Sequence, residues 1–202
     1  MPKLTNHEEV KQSIAEAAWR VILEHGMEGA SVRTIAKEAD LSLGALRYYF
    51  KTQDELVAYS RELVYKRTAE RMGRVFKLDM PPKDKIVQVL LNLLPSSEEK
   101  RLEVEARLVF KVYTRHKGEK FDAQQDSVYI AIKEVMSYLV LLNLLKKDAD
   151  LHLETERLYC LMDGLALDAM IRPELLEANR MKRIIIYHLN SSCSEKFGNV
   201  GW

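Results

Sequence analysis

The stretch Ser31-Val-Arg-Thr-Ile-Ala-Lys-Glu-Ala-Asp40-Leu-Ser-Leu-Gly-Ala-Leu-Arg-Tyr-Tyr-Phe50 decides the fold. Ser31 and Ser42 each precede a short helix-forming run and suit N-caps, because a serine oxygen accepts from the free N–H groups of a first helical turn. The spacing predicts helices over 32–39 and 43–50, joined by a tight turn at Asp40-Leu41-Ser42. Two-turn helices are unstable alone, so both must pack on a neighbour. Ile35, Ala36, Ala39, Leu41, Leu46 and Phe50 are the apolar residues available. With Leu46 and Phe50, four apart, turned inward, Leu43, Gly44, Arg47, Tyr48 and Tyr49 point elsewhere.

A helix presented this way fits the major groove of B-DNA, with the start of the second helix at the base edges. Arg47 suits a bidentate contact to guanine or a phosphate clamp, and Tyr49 can donate its hydroxyl to a phosphate. Gly44 and Ala45 permit close backbone approach, and Leu43 suits a thymine methyl. Ser31 and Arg33 stand where the support helix would cross the phosphate backbone. Lys51 and Gln53, just beyond the second helix, complete the candidate set. The plain alternative is a packed three-helix unit with no nucleic-acid role.

Working outward, Val10, Ile14, Ala17, Ala18 and Val21 trace one helical face, which predicts a first helix over about 7–25, stopped by Gly26. Thr52 with Glu55 has capping-box spacing and opens a long, charged helix over 53–75, suited to linking two domains. The expected domains are 1–52 and 53–202. Pro81 and Pro82 mark a break. Beyond them, helices are expected at 86–94, 102–115, 120–146, 152–171 and 174–190, then a loose tail. In 102–115, Glu103, Arg107, Lys111 and Thr114 read as a narrow polar strip between two apolar faces.

The composition agrees with an all-α chain. Among 202 residues, eight Gly and five Pro argue against collagen and turn-dense sandwiches. A net charge of +1 excludes a protein that coats nucleic acid by charge alone. Residues 1–75 hold twelve Lys+Arg against eleven Asp+Glu, so DNA affinity must come from local placement and from two copies acting together. The longest apolar run, 138–145, is interrupted by Asn143, far short of a membrane span. No signal-peptide core stands at the N-terminus, and Cys160 and Cys193 lack CxxC spacing; both suit a reducing cytoplasm. The five histidines form no HxxxH or HExxH pair and read as surface or cap residues. No nucleotide-loop or serine-elbow motif is present, so neither enzyme nor cofactor nor metal is expected.

The segment 31–56, within a match over roughly 7–60, strongly resembles the DNA-binding segment of the TetR family of bacterial transcriptional regulators. The wording Gly44-Ala-Leu-Arg-Tyr-Tyr-Phe50 and the later Asp163-Gly-Leu-Ala-Leu167 resemble the subgroup with a BetI-type C-terminal domain. Four positions depart from the family pattern: Asp40 at the turn glycine, Arg47 where Tyr is commonest, Tyr49 at the usual His, and Gln53 at a phosphate-binding Lys.

The resemblance implies an N-terminal helix-turn-helix domain and a C-terminal helical bundle for ligand binding and dimerisation. The implied function is a ligand-responsive repressor that reads a palindromic operator as a homodimer. The helices at 152–171 and 174–190 then supply a dimer interface through Leu158, Leu161, Met162, Leu165, Ala169, Met181, Ile184, Ile185 and Leu189. A small-molecule inducer site is implied among Leu90, Leu94, Phe110, Tyr113, Tyr129 and Met136, with Arg107 to orient the ligand, although a surface Arg is the commoner reading of that residue. The alternatives are an activator without an inducer, a helical protein-interaction module, or an enzyme carrying a vestigial head.

Overall fold

The computed structural model describes residues 3–116 and 126–198, and among these the regular elements are helices joined by turns. The helices are α1 (Lys3–Gly29), α2 (Val32–Glu38), α3 (Leu43–Tyr49), α4 (Gln53–Phe76), α5 (Pro82–Leu91), α6 (Glu98–His116), α7 (Ser127–Leu141), α8 (Leu151–Ile171) and α9 (Ala178–Ser192). The all-α expectation holds, and the sole extended pairing described is one isolated bridge, Leu145 with Cys193. The chain divides into two compact units, 1–66 with 105–121, and 67–104 with 122–202.

In the first unit α1 is the post on which α2 packs, and α2 in turn carries α3. Gly26 breaks the regularity of α1 with a φ of 70°, the backbone change that its lack of a Cβ permits. Ile14, Ala18, Trp19, Ile22, Ile35, Leu46, Phe50 and Leu56 are fully or almost fully buried. Burying side chains of this size contributes roughly 1.5–3 kcal/mol each, which is what holds α2 and α3 helical despite their length. Trp19 adds direction: its indole N–H donates to the Ser60 carbonyl at 3.1 Å and ties α1 to α4. Thr52 caps α4 by accepting from the Glu55 amide at 3.1 Å, while the Glu55 carboxylate accepts from the Lys51 amide at 2.9 Å. The capping-box spacing is therefore realised.

In the second unit α5, α7, α8 and α9 pack against one another. Asp126 and Asp150 cap α7 and α8 through backbone amides two or three residues on. Three expected boundaries are corrected. The helix expected to run to 146 ends at Leu141, because Asn143 takes a left-handed φ of 54° and stops it as a glycine would; its expected start at 120 lies outside the described residues. The last helix begins at Ala178 rather than 174, since the chain turns after Pro173 and the Leu175 and Leu176 amides donate to the Arg172 carbonyl. The segment from Asn190, expected to be loose, is tied down as far as residue 198. Cys193 is buried, the Ser194 amide donates to the Leu144 carbonyl, and Lys83 holds Glu195 at 2.7 Å.

The polar strip of α6 is also corrected. Glu103 and Arg107 are 2% and 3% exposed, whereas Val112, expected on an apolar face, is 59% exposed. Periodicity alone missed this because arginines on α4 neutralise Glu103 inside the unit.

Candidate nucleic-acid interface

Local chemistry builds the helix-turn-helix geometry. The Ser31 hydroxyl accepts from the Thr34 amide at 3.1 Å and caps α2, and the Ser42 hydroxyl accepts from the Ala45 amide at 3.0 Å and caps α3. Between them Asp40 has a φ of 54°, the left-handed turn conformation that Asp tolerates better than most residues. The Leu41 amide closes the turn onto the Ala36 carbonyl at 2.9 Å. Leu46 and Phe50 are fully buried and fix the roll of α3 about its axis.

With that roll fixed, the candidate contact residues are distributed as follows. Ser31, Arg33, Gly44, Arg47, Tyr48 and Lys51 are exposed, and Leu43, Ala45, Tyr49 and Gln53 are half-buried. Arg33, Lys37, Ser42 and Leu43 line a cleft of about 450 Å³ over the turn. Tyr48 is 74% exposed, a costly display of an aromatic ring unless something covers it.

Two of these residues already have structural work. The Ser31 oxygen is engaged as a cap and in contact with the Thr34 hydroxyl at 2.8 Å. The Gln53 side-chain amide donates to the Ala30 carbonyl at 2.9 Å and holds the start of α4 to the end of α1. That use is consistent with its departure from the family lysine.

One residue near the site was read from sequence only as a surface or cap histidine. The His7 ring lies 4.8 Å from that of Tyr49 and 6.0 Å from that of Tyr48, and the two tyrosines meet edge to face at 5.2 Å. One turn on, the Lys11 ammonium sits over the rings of Phe50 and Tyr59 at 5.1 and 4.8 Å. The Tyr59 hydroxyl donates to Glu8 at 2.8 Å. The i, i+4 spacing of His7 and Lys11 was the available signal, but nothing in the sequence says which partners that face meets.

The residues considered for a ligand separate into two groups. In the first unit Phe110 and Tyr113 line a cavity of about 320 Å³ with Asp54, Val57, Ala58, Arg61 and Thr114. Arg61 donates to the Thr114 hydroxyl there at 3.1 Å. Arg107 is buried, against the commoner expectation of a surface Arg. In the second unit Leu90, Leu94 and Met136 are core residues. The Tyr129 hydroxyl donates to Glu156 at 3.0 Å, and that bond holds its pKa above the usual phenol value.

Of the nine residues expected at a dimer interface, Leu158, Met162, Leu165, Ala169, Met181, Ile185 and Leu189 are buried inside the single chain. Within the single chain they belong to the unit's own core. Leu161 and Ile184 remain half-buried and line an open groove of about 600 Å³ with Cys160, Gly164 and Asp168. Among the large apolar side chains exposed on α8 and α9 are Leu167, Ile171 and Tyr187, at 50%, 66% and 70% exposure, with Leu151 and Leu153 at the start of α8. An apolar stripe marks what is buried without saying by what.

Comparison with known proteins matches residues 14–59 to the model described as bacterial regulatory proteins, tetR family, and residues 82–194 to that described as BetI-type transcriptional repressor, C-terminal. The HTH-type transcriptional regulator PksA of Bacillus subtilis (strain 168) is 49% identical over 195 residues, covering 96% of this chain and 95% of that protein. Among solved structures, a transcriptional regulator from Rhodococcus sp. Rha1 superposes with a TM-score of 0.77 at 24% identity, over 90% of this chain and 95% of its own. A regulator from Saccharomonospora viridis, solved in complex with choline, gives 0.69 at 18% identity, over 93% of this chain and 100% of its own. The chain therefore belongs to the TetR family of bacterial transcriptional regulators, with a BetI-type C-terminal domain.

Proposed function

We propose that the chain is a ligand-responsive repressor in the bacterial cytoplasm that binds a palindromic operator as a homodimer, each copy laying α3 in a major groove. The observation that carries this reading is the contrast across α3: Leu46 fully buried, with Gly44, Arg47 and Tyr48 turned to solvent, and Arg33 of α2 sharing a cleft with Ser42 and Leu43 at the start of that helix. Arg47 reads a base edge. Arg33, Tyr49 and Lys51 hold phosphates. Gly44 and Ala45 let the backbone come close. Ser31 caps α2 and Gln53 holds the start of α4 to the end of α1.

The near-balanced charge of the head makes a second copy necessary, since two half-sites multiply a modest single affinity. The exposed Leu167, Ile171 and Tyr187 of α8 and α9 support a two-fold interface on that face. An inducer bound in the helices beyond the head favours a dimer whose reading helices misfit successive half-sites. Couplings of this kind are about 1–3 kcal/mol. The cavity lined by Arg61, Phe110 and Tyr113 supports an inducer with an apolar body and a polar end. The choline-bound relative supports small-molecule binding as the regulating event.

The test is footprinting of the DNA upstream of the chain's own gene. Two protected half-sites about one helical turn apart are expected. A single unpaired footprint, or none, rejects the reading.

A further inference from the structure

We propose that His7 of α1 is a positioning residue of the DNA-reading surface: its ring braces Tyr49 and Tyr48 at the end of α3, so that both tyrosines meet the operator already ordered. The inference rests on the reading of α3 given above, which sets Tyr49 on a phosphate and turns Tyr48 to solvent.

A brace is needed because α3 is short. It has seven residues, Leu43–Tyr49, and Phe50 after it is already extended, with a φ of −136°. Leu46 and Phe50 are fully buried and hold this end from inside. Tyr49 is half-buried, and Tyr48 is 74% exposed. A tyrosine unsupported at such a place samples several rotamers, and ordering it on DNA then costs affinity.

His7 supplies the support from the outside. Its ring lies 4.8 Å from that of Tyr49, tilted by 45°, and 6.0 Å from that of Tyr48, at an interplanar angle of 72°. The two tyrosines meet at 5.2 Å and 89°. All three separations fall in the range of roughly 4.5–7 Å at which tilted and edge-to-face rings attract one another. Each ring touches the other two, and such a closed set leaves fewer free rotations than a pair does.

His7 can act as a brace because its own helix is fixed where it stands. The next residue, Glu8, accepts from the Tyr59 hydroxyl at 2.8 Å. One turn on, the Lys11 ammonium lies over the rings of Phe50 and Tyr59 at 5.1 and 4.8 Å. These contacts tie this part of α1 to α4 and to the end of α3, all within the first unit. His7 itself is only half-buried, so truncating it removes little core, and its main effect falls on the two tyrosines.

The test is fluorescence anisotropy of the full chain and its variants on the DNA upstream of its own gene and on a scrambled duplex, at one pH and one low salt concentration, with urea unfolding of each variant. His7→Ala should weaken operator binding about tenfold, since each of two half-sites loses its pre-ordered rings, while the urea midpoint stays close to that of the unmodified chain. His7→Phe, which keeps a ring without either nitrogen, should bind the operator within about twofold of the unmodified chain. In a background of Tyr48→Ala with Tyr49→Ala, His7→Ala should add less than about twofold, because a brace has no effect once the braced side chains are gone. Unchanged affinity in His7→Ala overturns the proposal. So does His7→Phe as weak as His7→Ala, or the full loss persisting in the background without the two tyrosines, since either places the histidine on the DNA itself. A urea midpoint that falls in step with affinity reduces His7 to a folding contact and overturns the proposal too. If the unmodified chain shows no preference for the upstream DNA, the reading of α3 fails first and this inference with it; if that preference is intact, each of the other adverse results overturns the inference alone.

Discussion

Truncating Arg47 and its neighbour Leu46 should separate reading from folding at adjacent positions of one helix. The Arg47 guanidinium is exposed and makes no ion pair or hydrogen bond among the described residues. Arg47→Ala therefore removes nothing that holds the head together, and its stability should change by less than about 0.5 kcal/mol. In the complex, one bidentate base contact is worth roughly 1–3 kcal/mol of discrimination. Two equivalent half-sites double that to roughly 2–6 kcal/mol, a fall in operator affinity of about thirty-fold at least. Leu46 is fully buried on α3, which packs on α2, so Leu46→Ala leaves a cavity and should cost about 2–5 kcal/mol of folding stability. Fluorescence anisotropy on the operator and on a scrambled duplex, with urea unfolding of each variant, reads both quantities. The reasoning fails if Arg47→Ala weakens operator and scrambled duplex equally, because the arginine then holds only phosphate. It fails too if Arg47→Ala lowers the urea midpoint as Leu46→Ala does.

Three further outcomes are expected. Burial lowers the His188 pKa to about 4, with Arg157 adding to the effect. The unfolded chain therefore takes up a proton near pH 6.5 while the folded chain does not, and stability present above that pH is lost as the pH falls towards 4. The loss is on the order of 3 kcal/mol at most. Urea midpoints measured between pH 7 and 4.5 should fall, and less steeply in His188→Gln; parallel slopes contradict this. Burial pushes the Cys193 thiol up to about 11, so a maleimide reagent should label only the exposed Cys160 until the chain unfolds. Native labelling of Cys193 contradicts the closed C-terminal segment. Ile171→Glu, at a position 66% exposed within the chain, should turn a dimer into monomers by light scattering while helicity is retained. An unchanged mass removes that face from the interface.

The head was legible in the sequence because its determinants are local. Ser31, Ser42 and Thr52 mark starts that the caps confirm, and the Leu46–Phe50 spacing fixes which side of α3 is hidden. What escaped the sequence depends on partners distant along the chain. Trp19 meets Ser60 across forty-one positions, and Gln53 meets Ala30 across twenty-three. Glu103 and Arg107 read only as a narrow polar strip because periodicity counts polarity and cannot foresee a buried ion pair such as that of Glu103 with Arg71. The α8 and α9 residues were read as interface because Leu158 or Ile185 is equally apolar whether its cover is its own chain or a second one. Asn143 ended α7 early through one left-handed residue, a stop signal weaker in sequence than glycine.

The central claim is that α3 reads DNA by sequence, and it is tested most directly by one ratio. Purified wild-type chain should be titrated by anisotropy against the DNA upstream of its own gene and against a scrambled duplex of equal composition, at a fixed salt concentration. The account expects saturation at two chains per site and an affinity at least a thousand-fold above that for the scrambled duplex, the low end for specific regulators. Equal affinity for the two duplexes would contradict it.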